Sequence, residues 1–178
     1  MRVRRARLDD AAAIAEVHVR TWQDAYEHVF GAERLTGVTV EQRLPMWRQI
    51  LQGADQTAFV AEGDGGNVIG WCTVGPSRDD DADGELWGIY VLSDAWGTGA
   101  GTALMAAGIE ALRDSGCRAV ILWVLEDNPR ARRFYEREGW VLDGERKEDE
   151  FLGVAVTEVR YRRGLTPEGS DPASTTPG

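Results

Sequence analysis

One short stretch, Trp96-Gly97-Thr98-Gly99-Ala100-Gly101-Thr102, has the most specific chemistry in the chain. Apolar residues Ile89 and Val91 precede it, as in a strand, and Met105, Ile109 and Leu112 follow at helical spacing. Glycine in such a turn accepts positive φ and lets a ligand approach the backbone. The unpaired N–H groups of the helix's first turn then hold an anion without any basic side chain. A pyrophosphate suits that cradle; the alternative is a tight strand–helix turn with no ligand. A P-loop requires Gly-Lys-Ser/Thr, and no lysine follows Gly101. A dinucleotide fingerprint requires glycine at its sixth position, where Thr102 stands, and belongs to a first strand–helix unit, which this is not.

Other chemically capable residues give weaker signals. His18 and His28 have no partners at metal-ligand spacing, and no metal site is expected. Cys72 and Cys117 have no adjacent histidine and are expected as buried free thiols. Asp79, Asp80, Asp81 and Asp83 either attract a cationic amine or form a solvated loop. Trp22 and Tyr26, one helical turn apart, either wall a site for an organic cation or belong to a core stripe.

The elements that position these residues follow from periodicity. Residues 2–8 alternate weakly and predict an edge-type strand. Asp9 and Asp10 offer N-cap oxygens to a helix whose apolar face is Ile14, Val17, His18, Thr21, Trp22 and Ala25. A second helix is predicted over 40–51. Residues 57–62 and 68–74, joined by Gly63-Asp64-Gly65-Gly66-Asn67, read as a β-hairpin. Further strands are predicted at 85–91, 119–125, 140–142 and 154–161. A helix runs from the glycine loop to about Ser115, and another from Pro129, with Asn128 as N-cap, to about Glu138. This order gives an α/β domain with a mixed sheet over 1–165. Residues 166–178 hold few apolar groups and are expected to be a flexible tail.

The whole chain sets outer limits. Its 178 residues, 43% hydrophobic, suit one domain with a real core. A formal net charge of -10 argues against general affinity for nucleic acid or anionic lipid. Two cysteines do not make a secreted disulfide framework. The basic start MRVRRARLDD lacks the apolar stretch of a signal peptide, and no apolar run suggests a membrane span. A cytoplasmic enzyme fits these limits.

Three segments together resemble the GNAT superfamily of acetyl-CoA-dependent N-acetyltransferases. The loop is similar to the family's Gln/Arg-x-x-Gly-x-Gly/Ala, with Gly99 and Gly101 in register. Asn128-Pro129-Arg130-Ala131-Arg132-Arg133-Phe134-Tyr135-Glu136-Arg137-Glu138-Gly139-Trp140 resembles Asn-x-x-Ala-x-x-Phe-Tyr-x-x-x-Gly-Phe. Glu85-Leu86-Trp87-Gly88-Ile89-Tyr90-Val91 resembles the family's fourth strand. Trp96 departs from the usual Gln/Arg, which removes a polar side chain near the phosphates but leaves the backbone donors.

The resemblance implies a sheet of six to seven strands with flanking helices, splayed between strands 4 and 5, that binds acetyl-CoA. It implies attack by an amine of a small molecule or peptide in a ternary complex. A CoA-binding sensor without turnover, another acyl donor and an oxygen acceptor remain open. Gly97, Thr98, Gly99, Ala100, Gly101 and Thr102 would hold the phosphates. Ile89 and Val91 would pair with the pantetheine arm, and one of their N–H groups would polarise the thioester carbonyl. Asn128 would meet the pantetheine, cap its helix, or both. Arg132 would reach a phosphate, whereas Arg130 and Arg133 are expected in solvent. Tyr135 either protonates the departing thiolate or packs in the core. Glu85 is the candidate general base, with Tyr90 as a rival, and Trp22 and Tyr26 would wall the acceptor pocket. A homodimer is compatible with the last strands.

Overall fold

In the computed structural model, which describes residues 1–165, strands and helices follow the predicted alternation. The tail expected at 166–178 lies outside the described residues. The strands are β1 (Arg2–Arg5), β2 (Thr57–Glu62), β3 (Val68–Pro76), β4 (Gly84–Val91), β5 (Ala119–Leu125), β6 (Val141–Phe151) and β7 (Val154–Gly164). The helices are α1 (Ala11–Phe30), α2 (Ala32–Leu35), α3 (Val40–Gln52), α4 (Ala100–Asp114) and α5 (Pro129–Arg137). The strands form one sheet in the order β1-β2-β3-β4-β5-β7-β6. Only β4 and β5 run parallel; the other neighbours are antiparallel.

Both faces of the sheet are covered, which is why β5 is apolar along its length. On one face α4 sets Leu104, Met105, Ile109 and Leu112 against Cys72, Val74, Leu86, Val120 and Leu122. On the other, Ile14 and Val17 of α1 and Trp47 of α3 pack on Val60 and Trp71. Each such aliphatic side chain contributes about 2 kcal/mol on burial. Among the described residues, no helix is long and apolar enough to cross a membrane.

Three local readings change. Asp10 does not cap α1 with its side chain. Its carboxylate accepts two bonds from the Arg4 guanidinium, at 2.7 and 2.8 Å, and one from the Arg7 N–H, tying β1 to the start of α1. β6 runs to Phe151 rather than ending at Leu142, because it is an edge strand with almost no apolar alternation. Polar cross-strand pairs such as Lys147–Glu158 and Glu148–Thr157 join it to β7 instead. Cys117 is only half-buried, whereas Cys72 is fully buried and its thiol is pushed up to about 12.

The acidic loop before β4 is exposed at Asp80, Asp81 and Asp83, as a solvated run would be, but it is tied down by cations and N–H groups and is not a free lure. Arg160 of β7 is buried, and its guanidinium donates to Asp79 (2.8 Å), Asp81 (2.9 and 3.0 Å) and Asp143 (2.8 Å). Asp83 accepts from the N–H groups of Arg118 and Ala119 at the start of β5. Asp80 stays exposed.

Two stability predictions follow from these buried charges. Arg160→Met takes the buried cation from Asp79, Asp81 and Asp143, leaving Asp81 and Asp143 to Arg162 alone, and should cost about 3 kcal/mol in urea unfolding, whereas Asp80→Asn should change stability by under about 0.5 kcal/mol. His18 accepts a 3.1 Å bond from Trp47 Nε1, and burial, then the Arg43 charge, lowers its pKa to about 3. It is neutral when folded and protonates near 6.5 when unfolded, so stability should fall as pH drops from about 6.5 toward 3. His18→Asn keeps an acceptor and should flatten that slope in melting curves taken at stepped pH.

Candidate active site

The site is a gap in the sheet. β4 and β5 pair only at Gly84–Val120 and Glu85–Ile121. Against β3, Thr73 faces Gly88 while Val74 faces Leu86, so Trp87 is an extra residue that kinks β4 just past its last pairing with β5. From there the strands diverge, and a cleft of about 700 Å³ opens between them, lined by 86–91 and by Trp123, Val124 and Leu125. Leu92 N–H bonds across to Ile69 O of β3 at 2.9 Å. By alternation along the strand, Ile89 and Val91 turn their N–H groups the other way, toward the gap.

One end of the cleft is built for anions. Gly97 and Gly99 have φ of +77° and +88°, and a Cβ on either would meet nothing within 4 Å, so conformation rather than crowding requires glycine there. Gly101 differs: a Cβ would come 3.3 Å from the Phe134 ring, so glycine lets α4 and α5 approach. The first-turn N–H groups of α4 have no acceptors within the helix and face the loop. Thr98 Oγ1 donates to Ala95 O and Thr102 Oγ1 to Glu138, which fixes the loop. Thr98 and Ala100, expected among the phosphate-holding residues, do not line the cleft, whereas Gly97, Gly99, Gly101 and Thr102 do.

The arginines rearrange the expected assignment. Arg132 turns away from the cleft: Nε donates to Tyr161 Oη and Nη1 to Glu126 O, both at 3.2 Å. Arg130, Arg133 and Arg137 line its rim instead; all three are exposed, as expected of Arg130 and Arg133. Trp96 organises this edge. Its indole N–H donates to Val91 O at 2.9 Å, and Arg130 lies 3.3 Å over its ring. Burial, then the charges of Arg133 and Arg137, lowers the Arg130 pKa, and an anion would relieve that repulsion.

At the centre stand three tyrosines. Tyr135 is buried and lines the cleft; burial, then Tyr26, raises its phenol above the ordinary value. Tyr26 Oη lies 3.1 Å from Tyr90 Oη, and desolvation raises both phenols. All three therefore keep their protons at neutral pH. Asn128 Oδ1 caps α5 by accepting from Ala131 N–H at 3.1 Å, and its side chain also hydrogen-bonds the Tyr26 phenol.

The opposite end is aromatic and mixed in charge. Trp22 and Tyr26 line it together with Phe30, Phe151, Trp87 and Trp123. Trp22 stacks on Phe30 with centroids 6.3 Å apart, so it serves core and cleft at once. Glu85 does not reach this space. Its side chain is 1% exposed, and its carboxylate accepts from the Arg78 backbone N–H at 3.1 Å as well as from the Arg78 guanidinium. Arg78 itself lines the cleft, lying 4.3 Å over the Trp87 ring. The sequence reading also missed Lys147 and Glu158, which enter from β6 and β7. Lys147 is the only lysine in the sequence, a signal that could have drawn notice, but no local pattern says where it points.

Comparison with known proteins agrees with this geometry. The sequence matches the acetyltransferase (GNAT) family over residues 13–140. The uncharacterized N-acetyltransferase YuaI of Bacillus subtilis is 36% identical over 130 residues, 71% of this chain and 73% of that one. An uncharacterized N-acetyltransferase of Mycobacterium tuberculosis is 31% identical over 140 residues, 78% of this chain and 88% of that one. The fold is similar to PaiA N-acetyltransferase from Thermoplasma acidophilum in complex with coenzyme A, with a TM-score of 0.71 at 16% identity, covering 92% of this chain and 98% of that one. With a family match spanning the loop, the splayed strands and α5, the chain belongs to the GNAT family of acetyltransferases.

Proposed function

We propose that the protein transfers the acetyl group of acetyl-CoA to an amine of a small molecule or peptide, by direct attack with both substrates bound. One observation carries this reading. A single gap in the sheet joins an anion cradle with three arginines to an aromatic pocket that holds a carboxylate. Two unlike substrates can thus meet at one strand edge. The coenzyme A bound to PaiA and the N-acetyltransferase names of the relatives support it.

The residues fit a CoA. The N–H groups of the loop and α4's first turn suit the pyrophosphate. Arg130, on the Trp96 face, with Arg133 and Arg137, suits the remaining phosphate. The edge of β4 at Ile89 and Val91 suits the pantetheine amides as an added strand would. Acetyl-CoA supplies the activated thioester. A β4 N–H directed into the gap then stabilises the oxyanion that forms on attack. Tyr135, protonated and desolvated, donates to the departing thiolate. Glu85 serves here as the buried anchor of Arg78, not as a group in contact with the amine.

Saturating acetyl-CoA should raise the melting temperature by mass action, and Arg130→Ala should weaken its Kd by about tenfold, one charge-assisted contact. A melting temperature that acetyl-CoA does not move would refute the reading. Tyr135→Phe should lower kcat by about 10- to 100-fold with little change in KM for acetyl-CoA; unaltered turnover removes Tyr135 from the mechanism. Thiol release from acetyl-CoA across primary amines separates an enzyme from a CoA-binding sensor, which would show the thermal shift alone.

A further inference from the structure

The cleft's acceptor end contains an ammonium site already filled by the protein itself. Lys147 and Glu158 face each other across β6 and β7, with Nζ 3.0 Å from the carboxylate. The same Nζ lies 4.4 Å from the Trp123 ring centroid. A carboxylate on one side and an indole face on the other is the surround that a primary ammonium selects. Both residues and Trp123 line the cleft shared with Tyr26, Tyr90 and Tyr135.

We propose that Glu158 and Trp123 form the seat of the acceptor's reacting ammonium, with Lys147 as its resident stand-in. The inference rests on the acetyltransferase reading and names its acceptor: a primary ammonium on an aromatic or apolar body. Trp22, Phe30 and Phe151 supply the matching walls.

Position and freedom favour Glu158 over the other carboxylates. Its side chain is 13% exposed, against 1% for Glu85, which several N–H donors of Arg78 hold below the cleft. Glu158 is held by one flexible lysine, itself 35% exposed and free to swing out. On β5 its partner is Leu125, which does not ionise. From α1 it faces Tyr26, and from the loop before β4 it faces Arg78; its charge acts on both. Asp149 also lines the cleft but is exposed on β6.

The chemistry balances. R–NH₃⁺ gives one proton to the Glu158 carboxylate, yielding R–NH₂ and the neutral acid. The nitrogen lone pair forms the C–N bond at the thioester carbonyl, whose electrons move to oxygen. Collapse breaks the C–S bond, and the electron pair leaves on sulfur. The thiolate takes the Tyr135 proton, and the second nitrogen proton returns to Tyr135. The products are the N-acetyl amide and the CoA thiol; Glu158 releases its proton to solvent.

Thiol release should be followed with two probes at pH 7.5: phenethylamine, which is an ammonium there, and aniline, which is neutral. Glu158→Gln should lower the ratio of kcat/KM for phenethylamine over aniline by at least about tenfold, the worth of one charge-assisted contact. Glu158→Asp should recover part of it. Lys147→Met, which removes the competing ammonium, should lower KM for phenethylamine. A ratio unchanged in Glu158→Gln, with the wild type turning over, overturns the seat and leaves the acetyltransferase reading standing. A KM unchanged in Lys147→Met overturns the stand-in role. No thiol release from the wild type with phenethylamine overturns the aromatic primary-ammonium acceptor, while the acetyltransferase reading stands or falls on the acetyl-CoA thermal shift and the wider amine panel.

Discussion

Everything at this site depends on β4 and β5 parting after only two matched residue pairs, Gly84–Val120 and Glu85–Ile121. The closed end is held by a buried charge. Glu85 is removed from water, which is tolerable only with full pairing, and Arg78 supplies it through backbone and guanidinium together. That pairing fixes the loop before β4, as Arg160 does from the other side. Just beyond, the extra residue at Trp87 bends β4 away. A carboxylate at the vertex therefore acts by setting where the gap begins.

A gap in a sheet leaves backbone groups that must find partners. Val91 O is satisfied by the Trp96 indole, an arrangement that a glutamine or arginine at 96 would not reproduce with the same ring face. The same indole holds Arg130 at the cleft. The substitution that looked like a lost phosphate contact thus trades a side-chain donor for an aromatic platform. It also explains how a chain of net charge -10 keeps a local cationic edge: Arg130, Arg133 and Arg137 share one short helix and are held near one another.

The sequence disclosed the loop end of the cleft well and the aromatic end poorly, for a physical reason. The cradle, α5 and β4 are contiguous segments, so local glycine chemistry, capping and strand patterning disclose them. Asn128 and Pro129 begin α5 as their residue types demand. Arg132 was misplaced because spacing gives its turn on the helix but not which side faces the gap; Tyr161 and Glu126 decide that. The acceptor end is assembled from α1, the loop before β4, β5, β6 and β7. Lys147 meets Glu158 only through register, and β6 has no apolar alternation from which a register could be read. The acidic loop failed for the same reason, since its partners Arg160 and Arg162 lie some 80 residues on, in β7.

The three central phenols suit the proposed reaction, in which an anion leaves and a cation arrives. Carboxylates placed so deep would each need a cation, as Glu85 needs Arg78. Hydroxyls need none. Desolvation raises Tyr26, Tyr90 and Tyr135 alike, so each enters the reaction neutral and able to donate. The charge lining the cleft is set apart from these phenols: in the proposed reaction the arginines at one end take the phosphates and Glu158 at the other takes the ammonium. Between them, in that reading, the uncharged phenols of a buried centre would strengthen each hydrogen bond formed as charge develops on the thioester oxygen.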